Sequence, residues 1–505
     1  ATSVMGNYTF KLTFEQYSVI LVCMAFFFTF LRLHEVKVTE KRVFHTAGFI
    51  VVALGCGLFT NQIILSDFME EHQINIRMFR PMESYQKYGG VLTFARSVGY
   101  AVVKKPEGYT TAKVDQIIQE YEKKSANEQQ STAKQYPNII TVVNETFADI
   151  KVLGDFKTNE DYMPYFHSLK KNCVTGYTYA SIVGGQTANT EFELLTGNTL
   201  GFLSAGTTAF QLYIHGQMPS LVSNLKAEGY SGNKAMHPFN PYNYNRPAVY
   251  KDFGFTDFID KFDFPKNVKR VREYISDEAN VDRIISEYEK NRKKTDQPFY
   301  MYNMTIQNHS PYDKDAANFK QPIKIESSKY DAEANRYLNL IKYSDDSLKQ
   351  LTSYFEKCKE PTIILFLGDH QPRLTDEFMN KITNGQYQTW SSEQMMKRYQ
   401  VPFVIWANYD IKEQHIEKTS MNYIQSILTQ TAGVKMTGYQ RFLNEVRKEV
   451  PTITSQGYWG KNGKFYQIND KGSPYYGIIQ KYRMIQYNMM FDKKNRRDSF
   501  FEVSK

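Results

Sequence analysis

Gly184-Gly185-Gln186-Thr187 places one threonine at the tip of a glycine-rich turn, and Ala188 to Leu195 follow it in a helical pattern. A hydroxyl there faces unpaired backbone N–H groups and the positive end of the helix dipole, a setting that favours a phosphate. Threonine is also an ordinary helix cap, so this segment alone assigns no chemistry. Two other segments add to it. Residues 138–145 read as a buried strand ending in the carboxylate Glu145, and residues 362–370 as a second strand ending in Asp369-His370. His309 follows another apolar run, 299–306.

Glu145, Thr187, Asp369 and His370 together offer three oxygen donors and one imidazole. That mixture suits Mn²⁺ or Mg²⁺ better than a thiolate-seeking metal, with Zn²⁺ also compatible. A divalent ion among them would lower the pKa of the Thr187 hydroxyl and polarise a phosphoryl oxygen. The expected chemistry is therefore nucleophilic transfer of a phosphoryl group.

Elements must bring these residues together. Apolar β-type runs at 138–144, 299–306, 362–367 and 402–406 alternate with helical patterns at 219–228, 279–292 and 335–357. Continuous apolar strands between helices predict an α/β fold, a mainly parallel sheet sandwiched by helices. Ligands bind outside the carboxyl ends of such strands, where Glu145, His309, Asp369 and His370 fall. A catalytic domain is expected over residues 136–450. Residues 451–505, Gly/Tyr-rich and then helical with a basic end, are expected to form an appended subdomain.

The N-terminal region is apolar in two places. Spans of about 16–33 and 46–66 match the length of membrane helices, and the first is slightly short. Arg32, Lys37, Lys41 and Arg42 lie between them, which predicts a cytoplasmic loop and an outward-facing remainder. Residues 1–66 are thus expected to form transmembrane helices resembling the tail of a longer membrane protein. Residues 67–135 are expected to be an amphipathic and helical connector, with 91–103 suited either to the bilayer surface or to packing against the globular domain. The net charge of +9 accords with an anionic lipid or phosphate-bearing partner. No nucleic-acid motif accompanies it, so no nucleic acid is expected as a partner. The four cysteines have no zinc or disulfide-framework spacing.

With Asn144-Glu145-Thr146-Phe147, Gly185-Gln186-Thr187, Asn308-His309-Ser310-Pro311-Tyr312 and Gly368-Asp369-His370 in view, the chain resembles the alkaline phosphatase/sulfatase superfamily. Within it, the chain looks like the lipoteichoic acid synthase-like phosphoglycerol transferases of Gram-positive bacteria. The resemblance spans essentially the whole chain. It implies that Glu145, Thr187, Asp369 and His370 hold one Mn²⁺, and that Thr187 attacks the phosphorus of phosphatidylglycerol. Diacylglycerol would leave, and the glycerophosphate would pass from Thr187 to a polyglycerophosphate or polysaccharide acceptor. The resemblance further gives His309 a substrate-binding role, in which it could act as acid or base. It places His237, Tyr244, Asn245 and Arg246 in a glycerophosphate pocket. The implied location is a cell membrane with the catalytic domain outside.

Departures accompany the resemblance. Members that polymerise lipoteichoic acid carry an aspartate where Phe239 stands, a tryptophan at Tyr244, and a serine missing from Gln371-Pro372-Arg373-Leu374. The acceptor is therefore open. Among rivals, sulfatase chemistry needs a Cys or Ser in a C/S-x-P-x-R context, and Cys173-Val-Thr-Gly-Tyr does not supply it. A phosphoethanolamine transferase shares the threonine and the metal, and a phosphodiesterase differs only in passing the adduct to water. A silent sensor or scaffold would have no use for a nucleophile.

Overall fold

The computed structural model describes Met24 and residues 42–65, 81–101, 103–125 and 135–503. The chain divides into two compact units, Ala1–Val102 and Val103–Lys505.

In the first unit, a helix covers Arg42–Phe59 and continues as a π-turn over Thr60–Leu65. This takes in most of the expected span at 46–66, whereas the one at 16–33 lies, Met24 apart, outside the described residues. Among the described residues no helix is long and apolar enough to cross a membrane. Two shorter helices follow, Pro81–Tyr88 and Gly90–Ala101. The second leaves Val91, Phe94 and Val98 exposed along one stripe while burying Thr93, Ala95 and Arg96.

The second unit is built on eight strands: β1 (Asn138–Asn144), β2 (Cys173–Tyr179), β3 (Ser231–Met236), β4 (Asp257–Ile259), β7 (Phe299–Met304), β8 (Thr362–Gly368), β9 (Gln400–Ala407) and β10 (Gln414–Ser420). Between β4 and β7 lies a two-stranded ribbon, β5 (Arg270–Val271) with β6 (Tyr274–Ile275). The large sheet runs β10-β2-β9-β8-β1-β7-β3-β4. All its neighbours pair parallel except that β9 runs antiparallel to both β8 and β2. The sheet is thus mixed, and largely parallel as expected. Two reversals cancel, so β2 points the same way as β8.

The central strands form because their apolar runs can be covered on both faces. In β1, Ile139 and Val143 join one core cluster with Phe192, Leu194 and Ile424, while Ile140 and Val142 join the other with Leu338, Ile341 and Leu348. Helices Thr187–Thr196 and Met421–Thr431 lie on the first side, and Asp277–Arg292 and Ala332–Phe355 on the second. This period-two partition is what a strand buried on both faces requires.

Helix Thr111–Ser125 belongs to this unit: Tyr121 meets Phe442 edge-on at 4.7 Å, and Arg497 holds Asp115 at 2.6 Å. A three-stranded sheet, β11 (Thr452–Thr454), β12 (Gly457–Trp459) and β13 (Phe465–Tyr466), follows, then helix Tyr476–Phe491. Ile453, Tyr458, Ile479 and Tyr482 share a core with Leu194 and Phe442. Cys56, Cys173 and Cys358 are free thiols.

Candidate active site

The carboxyl ends of β1, β3, β7 and β8 lie along one edge of the sheet, because these strands run parallel. Glu145 follows β1 and Asp369-His370 follows β8, and the register pairs Asn144 with Gly368 directly before them. Ligand atoms of Glu145, Asp369 and His370 consequently fall within 4.8 Å of one another, all buried.

Each side chain is fixed by its own backbone surroundings. Thr146 and His370 donate their N–H groups to Asp369 Oδ1 at 2.7 and 2.8 Å. His370 Nδ1 donates to the Gln371 carbonyl at 3.0 Å, which leaves the lone pair on Nε2. That Nε2 sits 3.2 Å from Asp369 Oδ2 and 3.8 Å from Glu145 Oε1. Asp369 Oδ2 and His370 Nε2 are both buried without a hydrogen-bond partner. Burial and the neighbouring Asp369 push the Glu145 carboxyl above its usual range, against the opposing effects of His370 and Arg246. Unpartnered buried acceptors are costly, and a cation held among them would satisfy all of them at once. The donor set fits a divalent metal ion.

Thr187 reaches this edge by way of β2. After Tyr179 the chain turns through Gly184 (φ 67°), Gly185 and Gln186, itself left-handed at φ 67°. A Cβ on Gly184 would lie 3.0 Å from the Arg373 Cβ, so the turn is tight as well as left-handed. Thr187 is the first residue of the buried helix Thr187–Thr196, and Gln186 occupies the cap. Its hydroxyl donates toward Glu145 Oε2 at 3.4 Å, a long contact that leaves the oxygen close to the triad. Thr190 ties the helix to β8 by donating to the Asp369 carbonyl at 2.8 Å.

One turn further along the same helix stands Glu191, which the sequence reading did not single out. Its Oε1 accepts from Arg246 Nε and Nη2 at 3.1 and 2.6 Å. Its Oε2 accepts from the Tyr302 hydroxyl at 3.2 Å and from the Tyr250 hydroxyl. Both members of the ion pair are essentially inaccessible, Arg246 at 2% exposed and Glu191 at 0%. The helix that presents Thr187 therefore also carries the carboxylate that holds Arg246.

The other expected pocket residues gather beside this pair. Tyr244 and Asn245 adopt left-handed backbone, φ 59° and 60°, and Asn245 caps the helix Arg246–Phe253. The Tyr244 ring lies 5.1 Å from the Arg246 guanidinium. His237 follows β3, and its Nδ1 donates to the Met304 carbonyl at 3.0 Å. Burial, then the charge of Arg246, hold its pKa far below the ordinary value, so the ring stays neutral with Nε2 as an acceptor. His309 follows β7. Its Nδ1 donates to the Ser310 carbonyl at 2.7 Å, and the Phe239 ring stacks on it at 6.4 Å.

Behind the strand ends lies a buried polar network that composition could not reveal. Asn308 donates through Nδ2 to Asn144 Oδ1, the Glu145 carbonyl and Ser344 Oγ at 3.0, 3.1 and 2.8 Å. Ser344 and Asn144 in turn donate to Asp277 Oδ2 at 2.6 and 2.7 Å. The backbone carrying Glu145 is pinned from behind.

A protein-family model described as Sulfatase matches residues 137–434, more than half of the chain. The chain is similar to a putative cyclic beta-1,2-glucan modification protein of Rhizobium meliloti (strain 1021), 30% identical over 84% of this chain and 65% of that one. It is also similar to the lipoteichoic acid synthase of Staphylococcus saprophyticus, 23% identical over 71% of this chain and 55% of that one. The chain spans less than two thirds of the length of these curated relatives. Among solved structures, the Streptococcus pyogenes phosphoglycerol transferase GacH, in complex with sn-glycerol-1-phosphate, shares the fold. Its TM-score is 0.64 at 20% identity, over 80% of this chain and 100% of that one. The Listeria monocytogenes lipoteichoic acid synthase LtaP gives 0.54 at 19% identity, over 77% and 98%. The chain belongs to the sulfatase family.

Proposed function

We propose that this sulfatase-family chain transfers glycerophosphate from phosphatidylglycerol to a cell-surface acceptor through a covalent adduct on Thr187. The observation that carries the reading is the Thr187 hydroxyl, 3.4 Å from a buried carboxylate whose partners Asp369 and His370 keep unpaired atoms turned to the same point. Glu145, Thr187, Asp369 and His370 would hold a divalent ion, Mn²⁺ first and Mg²⁺ or Zn²⁺ as alternatives, which lowers the hydroxyl pKa and screens the phosphoryl charge.

Thr187 Oγ1 gives up its proton to solvent and attacks phosphorus as the bond from phosphorus to the diacylglycerol oxygen breaks. His309 supplies the proton that the leaving alkoxide needs, and takes one from the acceptor hydroxyl in the second step. Arg246, aimed by Glu191, and neutral His237 bind the glycerophosphate oxygens. The N-terminus of the Thr187–Thr196 helix adds favourable backbone N–H groups. The similar proteins, a phosphoglycerol transferase and lipoteichoic acid synthases, support this class of reaction.

The proposed setting is a membrane surface with the catalytic domain, residues 136–450, and its C-terminal part, 451–505, outside. The uncharged runs within 16–33 and 46–66 and the exposed stripe Val91, Phe94 and Val98 support it.

The test incubates the protein with head-group-labelled phosphatidylglycerol and Mn²⁺. Diacylglycerol release with label on the Thr187 peptide is the expected result. Release undiminished in Thr187→Ala would defeat the covalent route. Label passing only to water would favour a phosphodiesterase, and turnover of phosphatidylethanolamine instead would favour a phosphoethanolamine transferase.

A further inference from the structure

A groove of about 520 Å³ lies next to His309, and two of its lining residues, Phe239 and Tyr274, touch that ring. Its wall is aromatic. Phe239 and Tyr274 meet the His309 ring at 6.4 and 5.8 Å, and the Tyr274 hydroxyl lies 3.4 Å from His309 Nδ1. Phe262 stands at the rim, 73% exposed. Its polar side is mostly cationic: Lys261, Lys266 and Arg270 against one carboxylate, Glu273. Lys261 Nζ sits 5.9 Å from the Phe239 ring and 4.9 Å from that of Phe262, so cation and aromatic faces alternate along the groove.

We propose that this groove holds the acceptor, and that the acceptor is a sugar chain; the assignment rests on the transferase reading above. A pyranose ring has one face of C–H bonds with partial positive charge, which suits the negative face of an aromatic ring. Its edge is a ring of hydroxyls, which calls for the donors and the acceptor that line this rim. An acyl chain would need a continuous apolar lining and would leave three cations facing hydrocarbon. The cationic excess suits a chain that gains negative charge with each glycerophosphate it receives.

The position agrees with the chemistry of the second step. A hydroxyl of a sugar stacked on Phe239 would lie beside His309. Its oxygen bonds to phosphorus as the bond from Thr187 Oγ1 to phosphorus breaks, and the hydroxyl proton passes to His309.

The test is glycan binding by the full chain, measured on a panel of immobilised neutral and glycerophosphate-bearing oligosaccharides. Binding to sugars on the panel is expected, and Phe262→Ala and Lys266→Ala should each weaken it at least tenfold at unchanged melting temperature. Binding to no oligosaccharide, or binding that both variants retain, would overturn the assignment. So would phosphatidylglycerol vesicles whose binding drops in Phe262→Ala while glycan binding does not. Diacylglycerol release without any glycan is measured alongside. Its absence with glycan binding intact would defeat the transferase reading, and with it the groove's role as acceptor site, while leaving the groove a glycan-binding one; its presence without glycan binding would defeat the groove alone.

Discussion

At the scale of single residues, two side chains on one helix divide the work. Thr187 presents an oxygen to the triad, and Glu191 orients the arginine that would face the phosphate. Replacing Thr187 by alanine should lower diacylglycerol release by on the order of 10³-fold or more, with no trapped adduct and little change in stability. Glu191→Gln should behave in the opposite way. It leaves Arg246 as an uncompensated buried charge, and breaking such a pair costs about 3–5 kcal/mol. Urea titration would show that loss, and a midpoint equal to that of the parent would contradict the buried pairing. The Thr187 turn was legible in the sequence because glycines, threonine and a helical pattern are local signals. The Glu191–Arg246 pair was not, since 55 residues separate its members and only the fold makes them neighbours.

At the scale of elements, the site depends on how closely β1 and β8 can end together. Gly368 has no side chain because a Cβ there would lie 1.8 Å from the Phe147 carbonyl oxygen. Gly368→Ala should cost about 1–3 kcal/mol and also weaken metal binding, because Glu145 and Asp369 would be pushed apart. Differential scanning calorimetry with and without manganese would separate the two effects, and an unchanged response to the metal would argue against the shared edge. The central strands were legible since β1 and β8 are apolar throughout and covered on both faces. The strands β2, β3 and β10 were not. Cys173–Tyr179 carries glycine and threonines, Ser231–Met236 is half polar, and Gln414–Ser420 lies at the sheet edge with four of its seven residues exposed. Their strand character comes from neighbours rather than from their own composition. β9 was legible as the apolar run 402–406, but its antiparallel direction was not, because strand direction leaves no mark on a buried apolar run.

At the scale of the whole molecule, the segment after the catalytic strand is anchored by an ion pair. His167 bonds with Asp161 at 2.7 Å and lies 3.8 Å from Asp149, which itself caps the turn Ile150–Val152. Asp149 and then Asp161, opposed by burial, raise the His167 pKa from 6.5 to about 9. A raised folded-state value means that the native protein binds the proton more tightly. The stabilisation is then complete below about pH 6.5 and disappears as pH rises through 9. His167→Gln should accordingly lower the melting temperature at pH 6 and leave it unchanged at pH 10. A difference that grows with pH would contradict the pairing.

The whole molecule also has to gather four ligands from three separate stretches of chain at one point. Crystals of the full chain soaked in manganese and measured at the manganese absorption edge test that most directly. The account predicts one anomalous peak in contact with Glu145, Thr187, Asp369 and His370, lost in Asp369→Asn. No peak at that point, or one that survives the substitution unmoved, would contradict it.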